Sequence, residues 1–160
     1  MSSIASFYLF RDADMPGLRE AAALSKGIVG TSRDDFWNYM EARGVPVVEF
    51  DGSGYIFGTL LSYLEDEHGI SNTDSSNEFS QFIYEMRDES AFLLTPEYRR
   101  LYLASFASGS FDETKLRAYY RKFNEVDEPD SGEWMRRGIE AIRAALGAVV
   151  DNSVVIVYVA

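Results

Sequence analysis

Residues 153–160 read "SVVIVYVA", and this short stretch decides the fold. It is continuously apolar and rich in β-branched residues, without the polar alternation of a strand that has one face in water. Such a run is typical of a strand buried on both faces of a sheet. We therefore expect it to form a central strand, and we expect its removal to unfold the protein.

Three further short apolar runs predict the rest of the sheet: "IASFYLF" at 4–10, "VPVVEF" at 45–50 and "SAFLLT" at 90–95. Pro46 favours an edge position for the second run, because proline cannot donate to a strand ladder. About seven segments with helical apolar spacing lie between and after these runs. The pattern predicts an α+β fold, a small mixed sheet of about four short strands packed with about seven helices, in a single domain spanning residues 1–160.

Capping residues and glycines predict the helix boundaries. The first helix opens at Pro16 with Leu18, Ala21, Ala22 and Leu24 on its apolar face, and Gly44 and Gly69 end later helices. The polar residues 70–78 indicate a loop. In the helix "SFDETKLRAYYRKF", the apolar face includes Leu116, Tyr119, Tyr120 and Phe123. Other expected helix ends are Thr31 or Ser32, Ser75 or Ser76, and Thr95 as N-caps, and Gly27 as a stop.

Composition narrows the chemistry. The chain has no cysteine, so disulfides, thiolate nucleophiles and zinc sites with sulfur ligands are excluded, and His68 is its one histidine. We expect no metal site and no cofactor. The N-terminal stretch lacks the pattern of a signal peptide, and no segment reaches the ~20 apolar residues that span a bilayer. The expected location is the cytoplasm, without a membrane partner.

Charge is distributed unevenly along the chain. The net charge is −11, and residues 44–86 contain eight acidic side chains and no lysine or arginine. Residues 97–143, in contrast, contain nine acids and nine bases. Nucleic-acid affinity depends on basic side chains that neutralise phosphates, so this distribution favours a basic protein partner instead. The candidate binding residues are Glu49, Asp51, Glu65, Asp66, Glu67 and His68.

The stretch "EFDGSGYIFGTL", residues 49–60, supports three interpretations. As an EF-hand loop it would place Leu60 where the bidentate glutamate belongs, which argues against calcium. As a phosphate loop it has a G-x-G-x-x-x-G spacing, one residue longer than the dinucleotide fingerprint, and it has no lysine or arginine nearby. In the third interpretation, Asp51 or Ser53 caps the following helix and the glycines give the turn its backbone freedom.

Two functions follow from these patterns. The first is a non-enzymatic protein-binding domain with an acidic surface, for example an immunity-type protein that neutralises a basic toxin. Its aromatic contacts would come from Tyr119, Tyr120 or Trp134, although most aromatic residues have core spacing. The alternative is a small-ligand-binding protein or enzyme with a site at the glycine-rich turn 51–58. An enzyme that combined Asp51 with His68 would have to bring together groups that the intervening helix holds ~20 Å apart.

The C-terminal half also carries a family resemblance. "FLLTPEYRRLYLASFASGSFDETKLRAYYRKF" at 92–123, an acidic loop, a long helix and "NSVVIVYVA" together resemble the YfbM-like bacterial domains of unknown function. The N-terminal half is similar in the order of its elements and in its "MSSI" start. At Tyr55, Phe57 and Thr59 the chain departs from the tryptophan and histidine of that family. The resemblance implies a small bacterial cytoplasmic α+β domain and brings no established activity.

Overall fold

The computed structural model describes residues 3–24, 32–108 and 111–160, and these ranges contain four strands and seven α-helices. The α+β prediction is confirmed. A short 3-10 turn, Asp12–Asp14, joins the first strand to the first helix. The elements are β1 (Ala5–Arg11), α1 (Met15–Leu24), α2 (Ser32–Arg43), β2 (Val45–Val48), α3 (Ile56–His68), α4 (Asp74–Arg87), β3 (Ser90–Leu94), α5 (Pro96–Ser108), α6 (Glu113–Asn124), α7 (Ser131–Ala148) and β4 (Ser153–Val159).

The four strands form one sheet in the order β2-β1-β4-β3. β4 is central, as its sequence predicts. It pairs with β1 from Ala5↔Val159 onward and with β3 from Ser90↔Val159 onward, and each pairing is antiparallel. β2 pairs antiparallel with β1 and lies at an edge, where Pro46 is tolerated. The sequence indicated a mixed sheet, and every pairing in the described ranges is antiparallel.

Helices cover both faces of the sheet, which explains why β4 is apolar at every position after Ser153. Val155 and Val157 face the core formed with α3, α5, α6 and α7, whereas Ile156 and Tyr158 face the core formed with α1, α2 and α4. Successive side chains of a strand point to opposite faces, so two cores require a continuous apolar run. Fully burying each large apolar side chain contributes about 1.5–3 kcal/mol, which makes β4 the centre of the packing.

Several helix boundaries differ from the sequence prediction. α4 begins at Asp74, so the loop expected over 70–78 is wrong in its second half. Its N-cap is Thr73, whose Oγ1 accepts from the Ser76 amide at 3.3 Å, so Ser75 and Ser76 do not cap it. The Thr95 cap is confirmed, because its Oγ1 accepts from the Tyr98 amide at 3.1 Å.

Two side chains expected on buried faces lie at the surface. Leu24 at the end of α1 is 55% exposed, and Phe123 at the end of α6 is 52% exposed. Both lie in the last turn of their helices, where the apolar face of the helix extends beyond the elements that cover it. Gly44 ends α2 and Gly69 ends α3, as predicted. The expectations for Gly27 and Thr31 lie outside the described residues.

The outer edge of β3 is closed by side chains of α4. Ser76 Oγ accepts from the Leu93 amide at 2.8 Å, and Ser80 Oγ donates to the Ala91 carbonyl at 2.5 Å. Ser76 and Ser80 lie one helical turn apart, and this spacing matches that of Ala91 and Leu93, two residues apart on the strand. The two hydroxyls therefore take the hydrogen-bonding place of a further strand. An edge covered in this way does not offer free backbone groups to another chain.

Candidate functional site

The glycine-rich turn lies between β2 and α3, and its capping differs from the prediction. The Ile56 amide donates to the Ser53 carbonyl and the Phe57 amide to the Gly54 carbonyl, both at 3.2 Å. Neither Asp51 nor Ser53 caps α3, since no described side chain accepts from its N-terminal amides. Backbone hydrogen bonds between residues three apart satisfy some of the free amides in the first turn of a helix without a side-chain cap.

Gly54 is required for close packing, not for backbone freedom. A Cβ atom at Gly54 would lie 2.8 Å from Val159 Cγ1 and 2.9 Å from Ser3 Oγ, inside van der Waals contact. Among described glycines, only Gly69 has a positive φ, so the glycines of the turn do not adopt a left-handed backbone. Leu60, in the position of the EF-hand glutamate, is buried in the core. The turn therefore seats α3 against the ends of β1 and β4.

The six candidate binding residues fall into two groups at opposite ends of α3. Glu49 and Asp51 precede its N-terminus, and both are exposed. Asp51 accepts a hydrogen bond from the Arg137 guanidinium on α7, so its charge is paired within the chain. Glu65, Asp66, Glu67 and His68 form the exposed C-terminal end of the same helix. The 13 residues of α3 separate the groups by about 20 Å, so the structure does not bring Asp51 and His68 together.

The C-terminal end of α3 meets α6 in a surface that combines acids with aromatic rings. We call it the acidic–aromatic face and define it by Glu65, Asp66, Glu67, His68, Tyr119 and Phe123. Asp66 Oδ2 accepts from the Tyr119 hydroxyl at 2.6 Å, which joins the two helices. The Tyr119 ring stacks on Phe123 with an interplanar angle of 18° and centroids 5.9 Å apart.

His68 is built into the same face through aromatic neighbours. Its Nε2 lies 3.2 Å from the Tyr63 hydroxyl, and its ring centroid lies 5.1 Å from that of Phe111. Tyr63 in turn meets Tyr119 edge to face at 5.2 Å. His68 thus contacts two aromatic rings, those of Tyr63 and Phe111.

The charges of this face are not neutralised by the fold. In the ranges that the structure describes, no lysine or arginine lies within 4 Å of a carboxylate of Glu65, Asp66 or Glu67, whereas Asp51 is paired. The negative charge of these acids also affects the pKa values of two neighbouring tyrosines. Burial, the hydrogen bond to Asp66 and the neighbouring carboxylates raise the pKa of Tyr119, and burial with nearby Glu67 raises that of Tyr63.

Tyr120 and Trp134, the other aromatic candidates for a partner surface, are half-buried and pack against the core. Phe123 was missed as a surface residue, although its i, i+4 spacing from Tyr119 was visible in the sequence. Across the described ranges, no group of three or more His, Asp or Glu side chains could hold a metal ion. No helix there is both long and apolar enough to cross a membrane.

A cavity of about 410 Å³ lies between the start of α3, the loop before α4, and β3. We call it the α3–β3 cavity. Part of its wall is the turn 51–58, at which the sequence suggested a ligand site, and the other walls come from segments far apart in the chain. Its lining includes Ser3, Tyr55, Phe57, Gly58, Leu61, Asn72, Asp88, Glu89, Phe92 and Val159.

No protein-family model, curated protein or solved structure matches this chain. Function is therefore inferred from the geometry and charge of the described residues.

Proposed function

We propose that this protein is a non-enzymatic, cytoplasmic protein-binding domain that holds a basic protein partner on the acidic–aromatic face. One observation carries the proposal: three exposed carboxylates without ion pairs lie beside a stacked pair of rings, the half-buried Tyr119 and the exposed Phe123. Stacked rings supply rigid contact area, and aromatic residues are enriched in the central contacts of protein interfaces.

The charges and the rings of this face suit the same partner groups. Carboxylates at Glu65 and Glu67 can pair with lysine or arginine, and an arginine can also lie over the face of Phe123. The net charge of −11 extends the attraction over the whole molecule and accelerates encounter with a positive surface. Asp51 contributes less, because Arg137 already pairs with it.

A basic protein that itself binds nucleic acid is the partner class that fits best. Such a protein carries a positive surface for phosphates, and an acidic domain can occupy that surface. This is the immunity-type role that composition suggested, and it accords with the bacterial origin implied by the resemblance to YfbM-like domains. Nucleic acid itself would be repelled by the unpaired carboxylates.

Binding of a labelled nona-arginine peptide, followed by fluorescence anisotropy, tests this proposal. The face variant Glu65→Gln/Asp66→Asn/Glu67→Gln removes three exposed charges. A matched control, Asp74→Asn/Glu78→Gln/Glu85→Gln, removes three exposed charges from α4. We expect the face variant to weaken binding about tenfold more than the control, which corresponds to about 1.4 kcal/mol. Raising the salt concentration should weaken binding of the unmodified protein.

Phe123→Ala separates ring contacts from charge. Phe123 is half-exposed at the end of α6, so its removal leaves the charge and the core unchanged. We expect binding to weaken about threefold to tenfold, as loss of a cation–π contact of about 0.5–1.5 kcal/mol predicts. Equal losses in the face variant and the α4 control would show general charge attraction, and the proposed face would then be wrong.

A further inference from the structure

We propose that the α3–β3 cavity is a binding site for a small amine with an apolar body. This site is distinct from the acidic–aromatic face, because it lies against the first turns of α3 and not against the last. It does not use Glu49, Asp51 or His68. Gly54, Tyr55, Phe57 and Gly58 line it, so it overlaps the turn 51–58 at which the sequence suggested a ligand site.

The size and walls of the cavity suit a small organic molecule. Its volume of about 410 Å³ lies in the range of about 300–1,000 Å³ that is usual for ligand sites. Phe57 and Phe92 form part of its inner wall with centroids 6.1 Å apart, and both are almost completely buried. Leu61 and Val159 add aliphatic surface. These walls would hold an aromatic or aliphatic body.

Two residues of the lining carry a buried polar atom without a hydrogen-bond partner. Ser3 Oγ and Asn72 Oδ1 make no hydrogen bond and have almost no accessible surface, so each side chain has to rotate about its χ angles to meet a ligand in the cavity; Ser3 is 6% exposed. Buried polar atoms are nearly always hydrogen-bonded in folded proteins, so an unpartnered pair on one cavity points to a missing ligand. Asn72 Oδ1 can only accept, and the Ser3 hydroxyl can also accept, so the ligand group must donate.

The charge of the lining favours a cation among the donors. Asp88 and Glu89 line the cavity, and neither a lysine nor an arginine is among the described residues around it. Glu89 is paired with Arg87 at 2.9 Å, so Asp88 is the exposed carboxylate of the lining. A protonated amine satisfies both the hydrogen-bond acceptors and this carboxylate. A carboxylate ligand would be repelled.

A larger groove, about 750 Å³, runs along α5 and residues 149–151. In the described part of the chain, no buried polar atom without a partner belongs to its lining. It therefore lacks the signal that distinguishes the α3–β3 cavity.

Gly58 provides a way to close the cavity. It lies in α3 and lines the cavity, and no atom lies within 4 Å of a Cβ built on it. A tryptophan there would enter open space at the cavity without a clash in the core. Gly147 on α7 has equally open surroundings and does not line the cavity, so Gly147→Trp is the matched control.

The test uses three small probes of the same shape: phenethylamine, phenethyl alcohol and phenylacetate. Amide chemical shifts of the full chain are followed by NMR as each probe is added. We expect saturable shifts at residues 55–61 and 88–92 with phenethylamine, and a Kd at least about tenfold lower than with phenylacetate. Gly58→Trp should abolish these shifts, whereas Gly147→Trp should retain them.

Ser3→Ala keeps the proposal testable if Gly58→Trp does not fold. Because Ser3 Oγ has no partner, we expect this variant to be as stable as the unmodified protein and to bind phenethylamine several-fold more weakly. Equal affinity for all three probes, or unchanged amine binding in both variants, would overturn the proposal. Nona-arginine binding should be unaffected by Gly58→Trp, which separates this site from the acidic–aromatic face.

Discussion

Replacing Ser76 with alanine tests how the outer edge of the sheet is closed. Ser76 is fully buried, and its Oγ accepts from the Leu93 amide at 2.8 Å. Leu93 is itself buried on β3, so water does not replace the hydroxyl when it is removed. The variant therefore leaves one buried N–H without an acceptor.

The expected cost follows from this lost partner. A buried donor without an acceptor costs about 1–3 kcal/mol. Alanine is a better helix former than serine by about 0.5 kcal/mol, which offsets part of the loss. The free energy of unfolding should therefore fall by about 0.5–2.5 kcal/mol. For a chain of this length, each kcal/mol lowers Tm by about 2–4 °C, so we expect a decrease of about 1–10 °C.

Urea unfolding and amide hydrogen exchange measure this effect. The midpoint should decrease at an unchanged m-value, and the Leu93 amide should exchange faster than its neighbours on β3. Ser75→Ala is the control, because Ser75 is exposed on the same turn of α4. If Ser76→Ala and Ser75→Ala differ by less than about 0.5 kcal/mol, the hydroxyl does not close the edge, and the reasoning fails.

Three further variants test the core, a helix end and the acidic–aromatic face. Arg87→Met should lower the free energy of unfolding by about 3–5 kcal/mol in urea, because it removes a buried guanidinium that lies 2.9 Å from the carboxylate of Glu89, whose side chain is 14% exposed. Gly69→Ala should cost about 1 kcal/mol in the same assay, since its φ of 64° is left-handed. Asp66→Asn should lower the pKa of Tyr119 in an alkaline titration of tyrosinate absorbance, because Asp66 helps to raise it.

For Arg87→Met and Gly69→Ala, a second variant identifies the cause of the change in stability. Adding Glu89→Gln to Arg87→Met should recover part of the loss, and a loss below about 1 kcal/mol would contradict the buried pair. Gly147→Ala, within a helix, should stabilise by about 0.5–1 kcal/mol, opposite to Gly69→Ala.

For the tyrosine, the direction of the pH effect is fixed by its raised pKa. The folded state favours neutral Tyr119, so its contribution is fully present below about pH 10, the ordinary tyrosine pKa, and is lost as the pH rises through the higher folded value. Tyr119→Phe removes this step from the titration. If Asp66→Asn left the step in place, Asp66 would not be coupled to Tyr119.

Much of the fold could be predicted from local patterns. The four strands, the central place of β4, the edge position of β2 and the cap at Thr95 all depend on neighbouring residues in the sequence, and the structure confirms each of them. The N-terminal cap of α3 could not be predicted, since backbone carbonyls of Ser53 and Gly54 replaced the side chains that the pattern offered.

The candidate sites depended on the sequence to different degrees. The acids Glu65–Glu67 were evident in the sequence as a cluster of charge. Their distance from Asp51 depends on the length of α3, and the pairing of Asp51 depends on Arg137 of α7. The α3–β3 cavity lies partly at the turn 51–58, where the sequence suggested a ligand site, but its other walls could not be predicted, because Ser3, Asn72 and Asp88 join Gly58 only when the sheet is assembled.

The sequence by itself determined which segments are buried, because a pattern of apolar residues within a few positions is enough to identify the buried face of a strand or helix. Which charges remain free and which polar atoms lack partners was decided only by the tertiary structure. Those properties depend on contacts between residues distant in sequence, such as Tyr119 with Asp66, 53 positions apart. A local pattern carries no information about such contacts, and the proposed functions of this protein rest on them.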